Sequence, residues 1–164
     1  MSILIRNRKI EEADYIVVPD DTPMPAEGKF IVSMKRWQNE SSTLHAGNCS
    51  FGVNLPNNCN LAEVWPELKS LQLIALEFPT FGDGRAYSQA RVLRDRFNFQ
   101  GEIRAIGAAV VQDQLYGMLR CGVNSFLLRC DQDALGCLEA LKGFSAAYQM
   151  AADDLHPILI QRRS

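Results

Sequence analysis

From Gly28 onward the chain alternates short apolar runs with longer amphipathic ones, and no other feature restricts its fold so tightly. Residues 29–34 read as a strand and 35–44 as a helix closing near Ala46 and Gly47, with the next strand over 50–55. Asn60 is placed to cap a helix through residue 71, where Leu61, Val64, Leu68 and Leu71 fall near one face. A strand over 73–78 leads to a helix over 87–97, and a strand over 102–106 to a helix over 110–120 closed by Gly122. The last unit is a strand over 125–128 and a helix over 133–150. Each crossover is longer than the roughly dozen residues that a parallel connection needs. The strands are apolar on both faces, as in a sheet covered by helices.

Five βα units in succession predict an α/β fold. The expectation is one domain over residues 1–164, with a mostly parallel sheet of about five strands and flanking helices. Pattern alone leaves two ways to arrange such a sheet: open and doubly wound, or curled like part of a TIM barrel. The open form is favoured, because five or six strands are too few to complete an eight-stranded barrel. Residues 1–27 read as an irregular N-terminal segment, with β-like pieces at 3–6 and 15–18. Pro19, Pro23 and Pro25 remove backbone donors and mark 19–25 as a connector. A mixed sheet with an antiparallel edge drawn from residues 3–18 fits the same pattern. Residues 28–150 hold the βα repeats, and 151–164 form a C-terminal tail.

A chain of 164 residues can bury a substantial core, and 47% hydrophobic with 22% charged residues is ordinary for a globular protein. A formal net charge of -2 gives no electrostatic basis for nucleic-acid binding. No apolar run approaches the length of a membrane span, and the N-terminus lacks the apolar core of a secretory signal. The five cysteines are odd in number and form no C-x-x-C pair, which argues against a disulfide framework or a zinc site. Free thiols point to the cytoplasm. Cys121, Cys130 and Cys137 read as small hydrophobes, with Cys130 alone at a strand end. His45 and His156 are isolated in sequence.

Ligands of parallel α/β sheets sit beyond the carboxyl ends of the strands, where helix N-termini offer free N–H groups. Three of the five strand-end loops carry arginine or lysine, which suits a small oxyanion or phosphorylated ligand. The loop at residues 78–88 is the richest. Gly82 and Gly84 permit unusual backbone angles, Asp83 can cap the following helix, and Arg85 and Ser88 follow directly. On that helix Ala86, Ala90, Leu93 and Phe97 form a core stripe, while Arg91 and Arg94 lie along one flank. Arg91 with Asp95 has the spacing of an ordinary surface pair. Glu77 and Arg104 are charges inside apolar strands, and an ion pair between them near the strand ends would offset their burial. Asp113 and Gln114 fall in the first turn of their helix, where an acid suits the helix dipole. No nucleophile–base pair is evident, so no catalytic residue is assigned.

Residues 81–94, Phe-Gly-Asp-Gly-Arg-Ala-Tyr-Ser-Gln-Ala-Arg-Val-Leu-Arg, resemble the hallmark of bacterial domain-of-unknown-function family 934. The resemblance continues through Gly101 to Gly107, Asp113-Gln114-Leu115 and Arg120 to Phe126, and covers roughly the C-terminal two thirds. Ala86, Ala108 and Val111 depart from the family pattern. Members are described as oxidoreductases involved in sulfite reduction, a label drawn largely from gene neighbourhood. The resemblance therefore implies an accessory role in assimilatory sulfur metabolism, acting on or beside sulfite reductase. It supplies neither a catalytic residue nor a known cofactor. The site residues it brings forward, together with the physical reading above, are Glu77, Asp83, Gly84, Arg85, Ser88, Arg91, Arg104, Asp113 and Gln114. Two alternatives stand beside it. One is a small oxidoreductase binding a phosphorylated or flavin cofactor at the Gly82–Arg85 loop. The other is a non-catalytic interaction module whose tail holds a partner or a second copy of the chain.

Overall fold

A computed structural model describes residues 2–44 and 48–142. The expected tail, the far end of the last helix, His45 and His156 lie outside the described residues. The elements run β1 (Ile3–Arg6), β2 (Lys9–Glu12), β3 (Ile16–Val17), β4 (Glu27–Ser33), α1 (Met34–Leu44), β5 (Asn48–Leu55), α2 (Leu61–Leu68), β6 (Leu73–Glu77), α3 (Arg85–Asp95), β7 (Glu102–Ile106), α4 (Gln112–Arg120), β8 (Ser125–Leu127) and α5 (Ala134–Lys142).

The repeat region forms as its periodicity requires. Asn60 caps α2, its side chain accepting from Ala62 N at 3.2 Å, and Leu61, Val64 and Leu68 are buried. Ala86, Ala90 and Leu93 of α3 are fully buried, and Phe97 just beyond stacks on Trp65 with ring centroids 4.7 Å apart. Gly122 ends α4 with φ of 108°, a backbone angle that glycine adopts without strain.

The sheet is larger than expected and differently closed. Eight strands run in the order β2-β1-β8-β7-β6-β5-β4-β3. Strands β3 to β8 pair in parallel, whereas β1 pairs antiparallel with both β8 and β2. The sheet is therefore mixed, and the segment over residues 1–27, expected to be irregular, supplies three of its strands. Part of that segment does make an antiparallel edge. The rest, β3, crosses to the opposite edge and pairs in parallel with β4.

From β4 to β8 each strand adds beside its predecessor in one direction, so right-handed crossovers place all the helices on one face. Phe30, Val32, Val53, Ile74, Leu76, Ile103, Ala105 and Phe126 point to that face and make the main core with the helices. The alternate residues Ile31, Leu73, Ala75 and Ile106 pack separately on the helix-free face.

Chain length then fixes the curvature. Seven interstrand spacings of about 4.8 Å would put β2 and β3 roughly 34 Å apart in a flat sheet. Only Ala13, Asp14 and Tyr15 join Glu12 to Ile16, and four Cα steps of about 3.8 Å span at most ~15 Å. The sheet must curl until its two edges nearly meet. The doubly wound expectation gives way to the barrel-like alternative, with the three-residue connection as a strap across its open side.

Candidate functional site

The carboxyl ends of the parallel strands form one rim, and two arginine–aspartate pairs stand on it. In the loop before α3, Asp83 accepts from Arg85 Nη2 at 2.6 Å, from the Arg85 backbone N–H at 3.1 Å and from Asn57 Nδ2 at 2.6 Å. The Arg85 guanidinium holds the Asp83 carboxyl well below the usual carboxylate range. In the loop before α5, Arg129 Nε donates to Asp131 at 2.6 Å and Nη1 to the Ala108 carbonyl at 3.1 Å. That guanidinium lowers the Asp131 carboxyl to about 2. Asp83 stands one residue before the N-cap Gly84, accepts from the first helical N–H, and has as its main partner Arg85, the first residue of α3.

Gly82 and Gly84 do not use the freedom anticipated for them. Gly84 has φ of −85°, and nothing lies within 4 Å of a methyl group added at either position. The demanding glycine is Gly107, at the end of β7. Its φ is 113°, and an added Cβ would stand 2.5 Å from the Phe78 carbonyl oxygen. Hydrogen bonds from Phe78 N to Ile106 O at 2.8 Å and from Ala109 N to Phe78 O at 3.0 Å draw these two strand ends together.

Glu77 and Arg104 do not pair. Their strands are neighbours, but the register sets Arg104 opposite Ala75 and Glu77 opposite Ile106. Glu77 is half-buried at the rim and makes no polar contact among the described residues. Arg104 lies deeper, fully buried on the helix-free face. Its Nε donates to Glu102 Oε1 at 2.8 Å and its Nη2 to Asp14 Oδ1 at 2.9 Å. Arg6 Nη1 reaches Asp14 at 3.1 Å and Glu102 at 3.2 Å, and Arg6 also pairs with Glu11. Lys29 Nζ stands 3.3 Å from Asp14, and the Tyr15 ring lies 5.6 Å from Lys29 Nζ and 5.3 Å from Arg104 Cζ. Burial pushes the Asp14 carboxyl up, but the hydrogen bonds from Arg104 and Arg6 outweigh it and bring it down to about 2.

The remaining expected residues do not converge on either place. Ser88 is exposed on α3, and no polar contact of its side chain occurs among the described residues. Arg91 stands six residues beyond Arg85, about 9 Å further along the helix. It pairs with Asp95 at 2.8 Å and reaches the Arg120 carbonyl, while Arg94 binds the carbonyls of Gly122 and Gly101. These are ties at the far end of α3, away from the rim. Gln114 accepts from the Tyr87 hydroxyl at 2.8 Å between α3 and α4, and Asp113 is exposed in the first turn of α4. Cys130 is exposed, whereas Cys137 is buried.

Sequence reasoning missed Asp14, Arg6, Glu102, Lys29 and Ser125. Arg6 carried a faint signal as a charge ending an apolar strand. Asp14 carried none, since an acid in a short polar stretch looks solvated. Beside the strap a cavity of about 340 Å³ is lined by Ser2, Glu12, Ala13, Tyr15, Ile16, Val17 and Leu127. Among the described residues no group of three histidine, cysteine or acidic side chains could hold a metal ion, and no helix is long and apolar enough to cross a membrane.

A family model described as a bacterial protein of unknown function (DUF934) matches residues 52–159. The match includes both rim pairs and Arg104 but not Arg6, Asp14 or Lys29. No curated protein matches the chain.

Proposed function

The chain belongs to the DUF934 family, and from that premise we propose that it is an accessory protein of sulfite reduction that holds a small oxyanion at the rim. The observation that carries this reading is the state of Arg85 and Arg129. Each guanidinium is exposed at the rim and pairs with an aspartate two residues away. The guanidinium side of each pair is open to water, so an incoming oxyanion can share the arginine fork with the local carboxylate. The planar donor fork of arginine suits an oxyanion, and the N-termini of α3 and α5 lie beside it. Sulfite is the oxyanion that the family resemblance favours, with sulfite reductase as the partner.

Titration calorimetry with sulfite at fixed ionic strength tests the reading. The Arg85→Ala/Arg129→Ala protein is expected to bind about tenfold more weakly or worse, a loss of one charge-assisted pair or more. A host carrying that variant should grow poorly on sulfate as sole sulfur source. Unchanged affinity together with normal growth would remove the proposal.

A second reading, a non-catalytic interaction module, draws on the β3 edge. Ile16 and Val17 are 65% and 48% exposed beside the apolar cavity, where an added strand could pair. An Ile16→Lys protein that still co-purifies with every partner of the parent would count against it. No comparable observation favours a flavin or nucleotide at the Gly82–Arg85 loop.

A further inference from the structure

We propose that the interior of the curled sheet is a second binding site, for a small oxyanion with three or more oxygens, in which Asp14 stands as an intramolecular substitute. This inference does not rest on the rim.

Three cations from three strands, Arg6 of β1, Lys29 of β4 and Arg104 of β7, converge on the one Asp14 carboxylate. That carboxylate belongs to no strand. It sits on the strap, where neither Asp14 nor Tyr15 takes part in strand pairing. The acids fixed within strands, Glu102 and Glu11, bind the same arginines independently. With Asp14 in place, three cations face three carboxylates. Without it, the enclosed site is left one positive charge in excess, so the group that replaces it must be an anion.

The site also offers more donors than Asp14 uses. Arg104 Nη1 and Ser125 Oγ have no hydrogen-bond partner among the described residues, and both residues are 0% exposed. Register sets Ser125 between Arg104 and Arg6 in one row across β7, β8 and β1. Buried donors left unmade are costly and call for an acceptor. A carboxylate has two oxygens, and Asp14 spends both on Arg104, Arg6 and Lys29. An oxyanion with a third oxygen could replace those contacts and also serve the idle donors. The cavity beside the strap shares Tyr15 with the cluster, the ring that lies 5.3 Å from Arg104 Cζ.

The test is anion rescue of the Asp14→Gly protein, read as the thermal midpoint at constant ionic strength. Sulfate and sulfite should raise the midpoint saturably, by about 5–10 °C at a hundredfold excess over the half-saturating concentration. Formate should do less and chloride nothing. The wild type, its site already filled, reports the general salting effect of sulfate, which is subtracted. Adding Ser125→Ala should reduce the advantage of sulfate over formate, leaving the part that Arg104 Nη1 supplies. Adding Arg85→Ala/Arg129→Ala should leave the rescue intact, which separates this site from the rim. If Asp14→Gly is unfolded in chloride, the same order of anions should appear as recovery of helical circular dichroism. Equal response to all anions, formate matching sulfate, or no recovery in any anion would overturn the proposal.

Discussion

Asp14 and Arg104 stand 90 residues apart in the chain and meet at 2.9 Å inside the curled sheet. The contact ties the strap to β7 and counters a guanidinium that has no access to water. Asp14→Ala leaves Arg104 with Glu102 alone and is expected to destabilise the fold by about 3 kcal/mol. Arg104→Met removes the charge and the need for a partner together. The double variant should therefore lose less than the two single losses summed, by about 1 kcal/mol or more in urea unfolding. Simple additivity would show that the pair is not coupled.

The same carboxylate sets a pH dependence. Asp14 sits at about 2 in the folded protein, below an unfolded value of about 3.9. The unfolded chain takes up the proton first, so the stabilisation is complete above about pH 4 and is lost as pH falls through 2. Arg6, Arg104, Lys29, Glu102, Glu11 and Tyr15 face the group in the wild type and in Asp14→Asn alike. The stability difference between these two proteins should be about 2 kcal/mol at pH 6, a few tenths of a kcal/mol at pH 2 and near zero only below it. A constant difference across that range would assign the effect to something other than ionisation.

Two glycines should answer oppositely to alanine. Gly107→Ala meets both a left-handed backbone and the Phe78 carbonyl, and is expected to cost about 1–3 kcal/mol. Gly82→Ala meets open space and should change stability by no more than about 0.5 kcal/mol. Denaturant midpoints of the pair check both at once, and equal losses would contradict the geometry.

Arginines that follow the strand ends should also divide. Arg85 and Arg129 lie in water, so their alanine variants should melt with the wild type. Arg36 is buried and donates to the carbonyls of Pro19 and Thr22 at 2.8 Å each, fastening the proline-rich connector to α1. Its loss frees the connector from α1 and removes two charge-assisted hydrogen bonds, which should cost about 1–3 kcal/mol. A melt of Arg36→Ala indistinguishable from the wild type would show the connector is held by other means.

Elements of the repeat region were readable because each carries its own period: the buried stripe of α3 and the apolar run of β6 need no distant partner to be recognised. Strand β2, Lys-Ile-Glu-Glu, has no such period. It pairs with β1 because Asn7 and Arg8 both adopt positive φ, 50° and 61°, a backbone turn suited to a tight hairpin. Arginine there gives little warning of that angle. Curvature was illegible for a related reason, since it depends on which edge the residues after β2 reach. At the rim, Asp83 and Arg85 could be seen together because only Gly84 separates them. The interior cluster could not, because Arg6, Asp14, Lys29 and Arg104 become neighbours only once the sheet is complete.

The pairing of β1 with β8, Leu4 opposite Leu127, bears on how the chain is made. On a ribosome the first hairpin emerges well before the strand it must dock against. At about 5–20 residues per second the wait is on the order of ten seconds. Throughout it Leu4 and Ile5, fully covered in the finished fold, have nothing native to lie on. Synthesis therefore leaves an open strand edge as the last to be closed, and crowding or chaperone capture of the nascent chain should act there first.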